Sequence, residues 1–104
     1  MRRGEVWWAE LPAPIGRRPV LLLSRDRAYS VRSAVTVAPI TRTIRNIPTE
    51  VGLGPEDGMP AKCVVSADDL LTVAKSRLMD RVAEISPAKM SAVATAVKFA
   101  LDLP

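Results

Sequence analysis

Apolar residues come in short runs over most of this chain, and at helical spacing only near its end. Glu5 to Glu10 has the look of a first strand. Trp7 and Trp8 are neighbours there, so an extended backbone sends them to opposite faces, one toward the core and one toward a surface or partner. Pro12, Pro14 and Gly16 make residues 11–17 a loop. Pro19 to Ser24 is an almost unbroken apolar run of strand length, the signature of a buried strand. Residues 25–33 are polar and predict a turn-rich connection. Ala34 to Ile40 is rich in β-branched residues and predicts a third strand. Residues 41–47 form a basic loop. Further strands are expected over residues 49–53, 61–66, 68–73 and 77–85, with a Gly-Pro-Glu-Asp-Gly turn at 54–58. Several short strands at close spacing predict a small barrel or a strongly bent sheet.

The last segment follows a different rule. Ser86 is a natural N-cap and Pro87 suits the first helical position. Met90, Val93, Val97 and Leu101 then fall on one stripe. That pattern predicts a helix of about four turns that closes the barrel, with the whole stripe packed.

The 104 residues suit one compact domain spanning 1–104. Hydrophobic residues make up 48% of the chain and mean hydropathy is +0.12, enough for a real core. Only 4% are aromatic, so that core is aliphatic. Net charge is +4 and unevenly spread. Residues 1–50 carry nine arginines and no lysine against four acids, whereas residues 51–104 carry six basic residues against seven acids. Arginine grips phosphate with two parallel N–H bonds and lysine does not. The basic half therefore points to a polyanionic partner.

There is no histidine and one cysteine. Cys63 lies in the apolar run Cys63-Val64-Val65 and is expected in the core. A single cysteine cannot form an intrachain disulfide, which fits a reducing compartment. No secretory leader is visible and no run approaches the ~20 apolar residues of a membrane span. A soluble, cytoplasmic protein is expected.

These facts close most catalytic designs. Zinc lacks its usual ligands, a Ser-His-Asp arrangement is impossible, and no phosphate-cradling glycine motif occurs. Asp68-Asp69 offers at most weak Mg²⁺ binding, so neither a metal nor another cofactor is expected. What remains is metal-independent transfer of a phosphodiester. In RNA the 2′-hydroxyl attacks the adjacent phosphorus, so the substrate brings its own nucleophile. The protein has to place the strand and stabilise the developing charge. Arg18 stands at the mouth of the second strand and Thr41 closes the third. A guanidinium and a hydroxyl at one rim would suit that task. Arg17, Arg25, Arg42 and Arg45 are candidates to track the RNA backbone. Asp68 is grouped with these RNA-binding candidates as a rim carboxylate that would orient Arg18, although a plain structural carboxylate is the more expected reading. An exposed Trp7 or Trp8 would offer a base a stacking surface, although core or dimer packing is the expected place of both.

The order of segments resembles the MazF/PemK toxins, sequence-selective endoribonucleases of bacterial toxin–antitoxin systems. The resemblance runs through Arg3-Gly4-Glu5-Val6-Trp7-Trp8-Ala9-Glu10-Leu11, Arg18-Pro19-Val20-Leu21-Leu22-Leu23-Ser24, Ala38-Pro39-Ile40-Thr41 and Pro48-Thr49-Glu50-Val51. It ends with Val64-Val65-Ser66-Ala67-Asp68 and the spaced Thr72 and Arg77-Leu78. It implies a mainly-β, α+β fold: an SH3-like β-barrel closed by a C-terminal helix, forming a homodimer. It implies metal-free cleavage of single-stranded RNA to a 2′,3′-cyclic phosphate, and an antitoxin whose acidic, apolar tail lies in the RNA groove. Arg18 matches the family's catalytic arginine and Thr41 its catalytic threonine. An arginine with a pKa above about 12 is a poor base, so charge stabilisation or proton donation suits Arg18 better. The 11–17 loop is shorter than in many relatives. Asp69 and Leu71 replace a glutamine and a basic residue. Two other readings share the barrel: a gyrase inhibitor that acts by contact alone, and an RNA-binding module without turnover.

Overall fold

The computed structural model describes residues 1–104. Strands β1 (Glu5–Glu10) and β2 (Arg17–Leu22) lead to a one-turn helix, α1 (Ala28–Val31). Then come β3 (Ala34–Thr41), β4 (Glu50–Leu53), β5 (Cys63–Ser66), β6 (Leu71–Ala74), β7 (Leu78–Glu84) and the helix α2 (Pro87–Leu101). The strands make one antiparallel sheet in the order β4-β5-β3-β2-β1-β7, with β6 also on β3. This is the mainly-β fold with a C-terminal helix expected from sequence; of the small barrel and the strongly bent sheet that the strands predicted, hydrogen bonding makes the second, since the ends, β4 and β7, do not pair. The turn after β4 bridges these ends by packing. Gly58 has φ +89, and a Cβ there would lie 3.1 Å from Cβ of Ala83 on β7. Its left-handed backbone and the tight approach both favour glycine.

β3 organises the sheet. One edge carries β2, with Val20, Leu21 and Leu22 opposite Pro39, Ala38 and Val37. The other edge carries β6 along Ala34–Val37 and then β5 at Ile40 and Thr41. Pro39, which has no N–H to give, falls between the two stretches, where a missing ladder donor is tolerated.

The central strands are buried on both sides, which is why β2 is nearly continuously apolar. Val6, Leu21, Ala38, Ile40 and Val65 pack on one side with Val93 of α2. Val20, Leu22, Val35 and Val37 pack on the other with Tyr29 of α1. The short α1 replaces part of the turn-rich connection expected at 25–33. Burial of Ala28 and Tyr29 holds this single turn, and the Tyr29 hydroxyl donates to the Ser24 carbonyl at 3.0 Å.

Ser86 caps α2 by accepting from the Lys89 N–H at 3.2 Å. The apolar stripe is packed at Met90, Val93 and Val97, and Ala96 joins it. Leu101 does not: it is 53% exposed, because the helix outruns the core it covers. No helix is long and apolar enough to cross a membrane.

One corner gathers charge into the structure. Glu5 is buried, and its carboxylate accepts from the Arg2 backbone N–H at 3.0 Å, Trp7 Nε1 at 3.0 Å and Arg81 Nη1 at 3.2 Å. Burial alone would push its pKa up. The bonds from Trp7, Arg2 and Arg81 and the nearby amino terminus outweigh burial and hold the carboxyl below its ordinary value.

Candidate active site cleft

The ladder between β2 and β3 puts Val20 opposite Pro39. Continued two residues further, it would set Arg18 level with Thr41. The ladder stops first. Arg17, Arg18 and Pro19 stay paired with Glu10, Ala9 and Trp8 of β1, while Thr41 stays with Val64 of β5. The two strands therefore part at this end, and a cleft of about 320 Å³ opens between them.

Trp8, Arg17, Arg18 and Pro19 line one wall, and Ile40, Thr41, Arg42 and Thr43 another. Met59, Pro60, Ala61 and Cys63 close the far side. Arg17 lies over the Trp8 ring at 5.0 Å, a cation–π contact, and reaches Asp80 at 3.8 Å. Arg18 and Arg42 take part in none of the ion pairs of the chain. The Thr41 hydroxyl accepts a bond from the Thr43 N–H at 3.1 Å. That bond occupies a lone pair and leaves the hydroxyl proton available to a ligand in the cleft. Burial pushes the Cys63 thiol up, against the Arg42 charge that lowers it, so the thiol stays protonated near neutral pH.

The sequence candidates thus divide. Arg17, Arg18, Thr41 and Arg42 share the cleft. Arg45 lies outside it, in the connection to β4, where its backbone N–H donates to Glu50 at 2.9 Å. Arg25 lies beyond the opposite end of β2, in a separate recess. Asp68 does not reach the rim or orient Arg18. β5 runs away from Thr41, so the residues that follow it leave the cleft, and Asp68 accepts from the Thr49 hydroxyl at 2.6 Å. The two tryptophans also divide. Trp7 packs against the apolar core, whereas Trp8 forms cleft wall. Sequence reading missed Thr43 and the wall from Met59 to Ala61. Only the return of β5 alongside β3 brings that segment across, and no local pattern announces it. No three Cys, Asp and Glu side chains gather where they could hold a metal ion.

Residues 2–101 match the family model of the PemK-like, MazF-like toxins of type II toxin–antitoxin systems. The chain belongs to the PemK/MazF toxin family. A probable endoribonuclease, MazF5 of Mycobacterium tuberculosis, is 43% identical over 101 residues, which cover 96% of this chain and 92% of that protein. Among solved structures, the Mycobacterium tuberculosis toxin MazF-mt6 superposes with a TM-score of 0.89 at 33% identity, over 96% of this chain and 98% of its own. A mycobacterial endoribonuclease in complex with its cognate antitoxin superposes with a TM-score of 0.89 at 34% identity, over 100% of this chain and 97% of its own. The bent sheet and C-terminal helix are thus the PemK/MazF toxin fold.

Proposed function

We propose that this chain is the endoribonuclease toxin of a toxin–antitoxin pair, and that it cuts single-stranded RNA without a metal to leave a 2′,3′-cyclic phosphate. The observation that carries the reading is the meeting of Arg18 and Thr41 in one cleft that holds no carboxylate. A bound phosphodiester would face the unpaired guanidiniums of Arg18 and Arg42 and the free proton of Thr41. The RNA 2′-oxygen attacks phosphorus, the bond to the 5′-oxygen breaks, and charge builds on the phosphoryl oxygens between these steps. Arg18 stabilises that charge and can give a proton to the departing oxygen, while Thr41 donates a hydrogen bond to a phosphoryl oxygen. The proton of the 2′-hydroxyl goes to a base other than histidine, since the chain has none.

Trp8, with Arg17 on its ring, offers a flat face for a base beside the reacting phosphate. The reading includes a homodimer and an antitoxin whose acidic, apolar tail occupies the same cleft. The solved relative in complex with its cognate antitoxin supports that partner class. The test is incubation of purified protein with a long, structure-poor RNA in EDTA, with Arg18→Ala alongside. Cuts at repeated short sites with cyclic-phosphate ends, absent in the variant, are expected. Intact RNA with a wild-type protein still toxic to cells would sink the nuclease reading and favour action by contact alone.

A further inference from the structure

The end of β2 opposite the cleft carries a second recess, of about 220 Å³. Arg25, Arg32, Ser24, Thr36 and Thr72 supply its polar lining, and no carboxylate lines it. Ser24 Oγ accepts from the Thr36 N–H at 2.8 Å, which fixes that hydroxyl at the recess with its proton free to donate. Arg25 and Arg32 are exposed and enter no ion pair or side-chain hydrogen bond. Nearby cations are Arg3, whose guanidinium donates to the Leu23 carbonyl, and Lys75, which donates to the Tyr29 carbonyl at 2.8 Å. The neighbouring acid, Asp26, accepts from the Arg3 backbone N–H at 2.7 Å and enters none of the ion pairs of the chain. Arg25, Arg32, Arg3 and Lys75 outnumber this one carboxylate, so the local field is positive.

We propose that this recess is a second phosphate site, holding a phosphodiester of single-stranded RNA away from the bond that is cut. The proposal rests on RNA as the substrate. Two guanidiniums and a fixed hydroxyl suit a phosphate, whose oxygens accept several charge-assisted bonds at once. Ser24, just past the end of β2, lies six residue steps from Arg18, or roughly 20 Å at the extended rise per residue. Because β2 is buried at Val20, Leu21 and Leu22, a strand that reached both sites would pass over the surface from one end of β2 to the other, a path of at least that length. A short oligonucleotide would fill the cleft alone, and only a longer one would engage Arg25 and Arg32.

The experiment measures binding of uncleavable 2′-O-methyl RNA of about four and about sixteen nucleotides, the two ends of the range of single-strand footprints, by fluorescence anisotropy over a salt series. Wild type is compared with the Arg25→Gln/Arg32→Gln double variant. The long strand should bind the variant about tenfold more weakly, with a salt slope shallower by about 1.4, or ~0.7 per lost contact. The short strand should be held within about twofold, as expected for exposed positions outside the cleft. Equal loss for both lengths, or none for either, overturns the proposal. Side-chain NMR of Arg25 and Arg32 with inorganic phosphate is the second arm. Saturable shifts there, with the long strand gaining nothing over the short one, would make the recess a small-anion site and overturn the strand assignment. Because the RNA is uncleavable, these outcomes stand apart from whether the cleft turns over.

Discussion

Two basic corners of this molecule use arginine in opposite ways. At the Glu5 corner, Arg2 and Arg81 lie within 3.8 Å and 3.2 Å of one buried carboxylate, and the amino terminus lies 4.0 Å from it. In the cleft, Arg18 and Arg42 have no carboxylate within reach, although Arg18 stands in β2 and Arg42 directly follows β3, strands that also pack a core. Pairing makes a cation structural, because its charge is met inside the protein and its geometry is fixed. An unpaired cation at a concave rim is a standing attraction for an external anion. The contrast separates arginines whose charge is met within the fold from arginines left free to meet a ligand, a division that net charge alone does not supply.

The largest expected effect lies in the cleft. Arg18→Ala should slow RNA cleavage about a thousandfold, the upper range for removal of one charge-stabilising donor. Thermal stability should barely change, since Arg18 has no partner to lose. Arg18→Lys should recover only part of the rate, because an ammonium lacks the planar fork. A variant that lost activity and melted early together would return Arg18 to a structural role.

The same substitution logic inverts at the other corner. Glu5→Gln should destabilise the protein by about 2 kcal/mol while cleavage by the folded fraction is unchanged, since it strips charge from a buried acceptor with several donors. The pH dependence gives a sharper signature. Glu5 has a folded pKa below its unfolded value of 4.5, so its contribution is present above that value and is lost as pH falls through the folded one. Urea melts between neutral and acid pH should show this loss in wild type and a flattened profile in Glu5→Gln. A wild-type profile as flat as the variant's would contradict the account of that corner.

Much of this division was legible in the chain and some was not. Arg18, Thr41 and the strands that carry them follow from local pattern: an apolar run entered by a basic pair, and a β-branched run closed by a hydroxyl. The Ser86 cap and Pro87 announced α2. What the pattern could not supply is where β5 lies, because strand pairing is a tertiary event. That one pairing carries Met59, Pro60 and Ala61 into the cleft and Asp68 out of it. Cys63 shows the limit from another side. Its apolar neighbours rightly predicted burial, yet the same residue helps to line the cleft. Leu101 kept the helical period of the stripe and still lies outside the core, since periodicity gives a face and not the extent of what the face meets.

The comparison can also be broken by giving the cleft the partner it lacks. Thr43 is exposed on the cleft wall close in sequence to Arg42. Thr43→Glu should weaken binding of uncleavable single-stranded RNA roughly tenfold and make that binding less salt-dependent, because an internal carboxylate competes with phosphate for the guanidiniums. Stability should change by less than about 0.5 kcal/mol, as for most surface substitutions. Unchanged affinity with unchanged salt slope would mean that RNA does not contact this wall.

The smallest expected effect concerns a buried polar group handled without charge. Tyr29 donates its hydroxyl to the Ser24 carbonyl at 3.0 Å, and burial, assisted by Asp26, pushes its pKa from 10.0 up to about 12. A raised acidic pKa means that folding favours the protonated phenol. Its contribution is therefore complete below pH 10 and is lost as pH rises toward 12. Tyr29→Phe should cost about 1 kcal/mol at neutral pH, the usual worth of one such hydrogen bond, and should remove the part of the alkaline decline that Tyr29 contributes. Ultraviolet titration of the single tyrosine, alongside melts between pH 9 and 11.5, reads both quantities on one sample. An ordinary phenol titration near 10 would show that α1 opens readily and would weaken the view that Tyr29 anchors this end of the sheet. A delayed titration would place α1 among the fixed parts of the fold, so that Arg25 and Arg32 on either side of it are held in position before any ligand arrives.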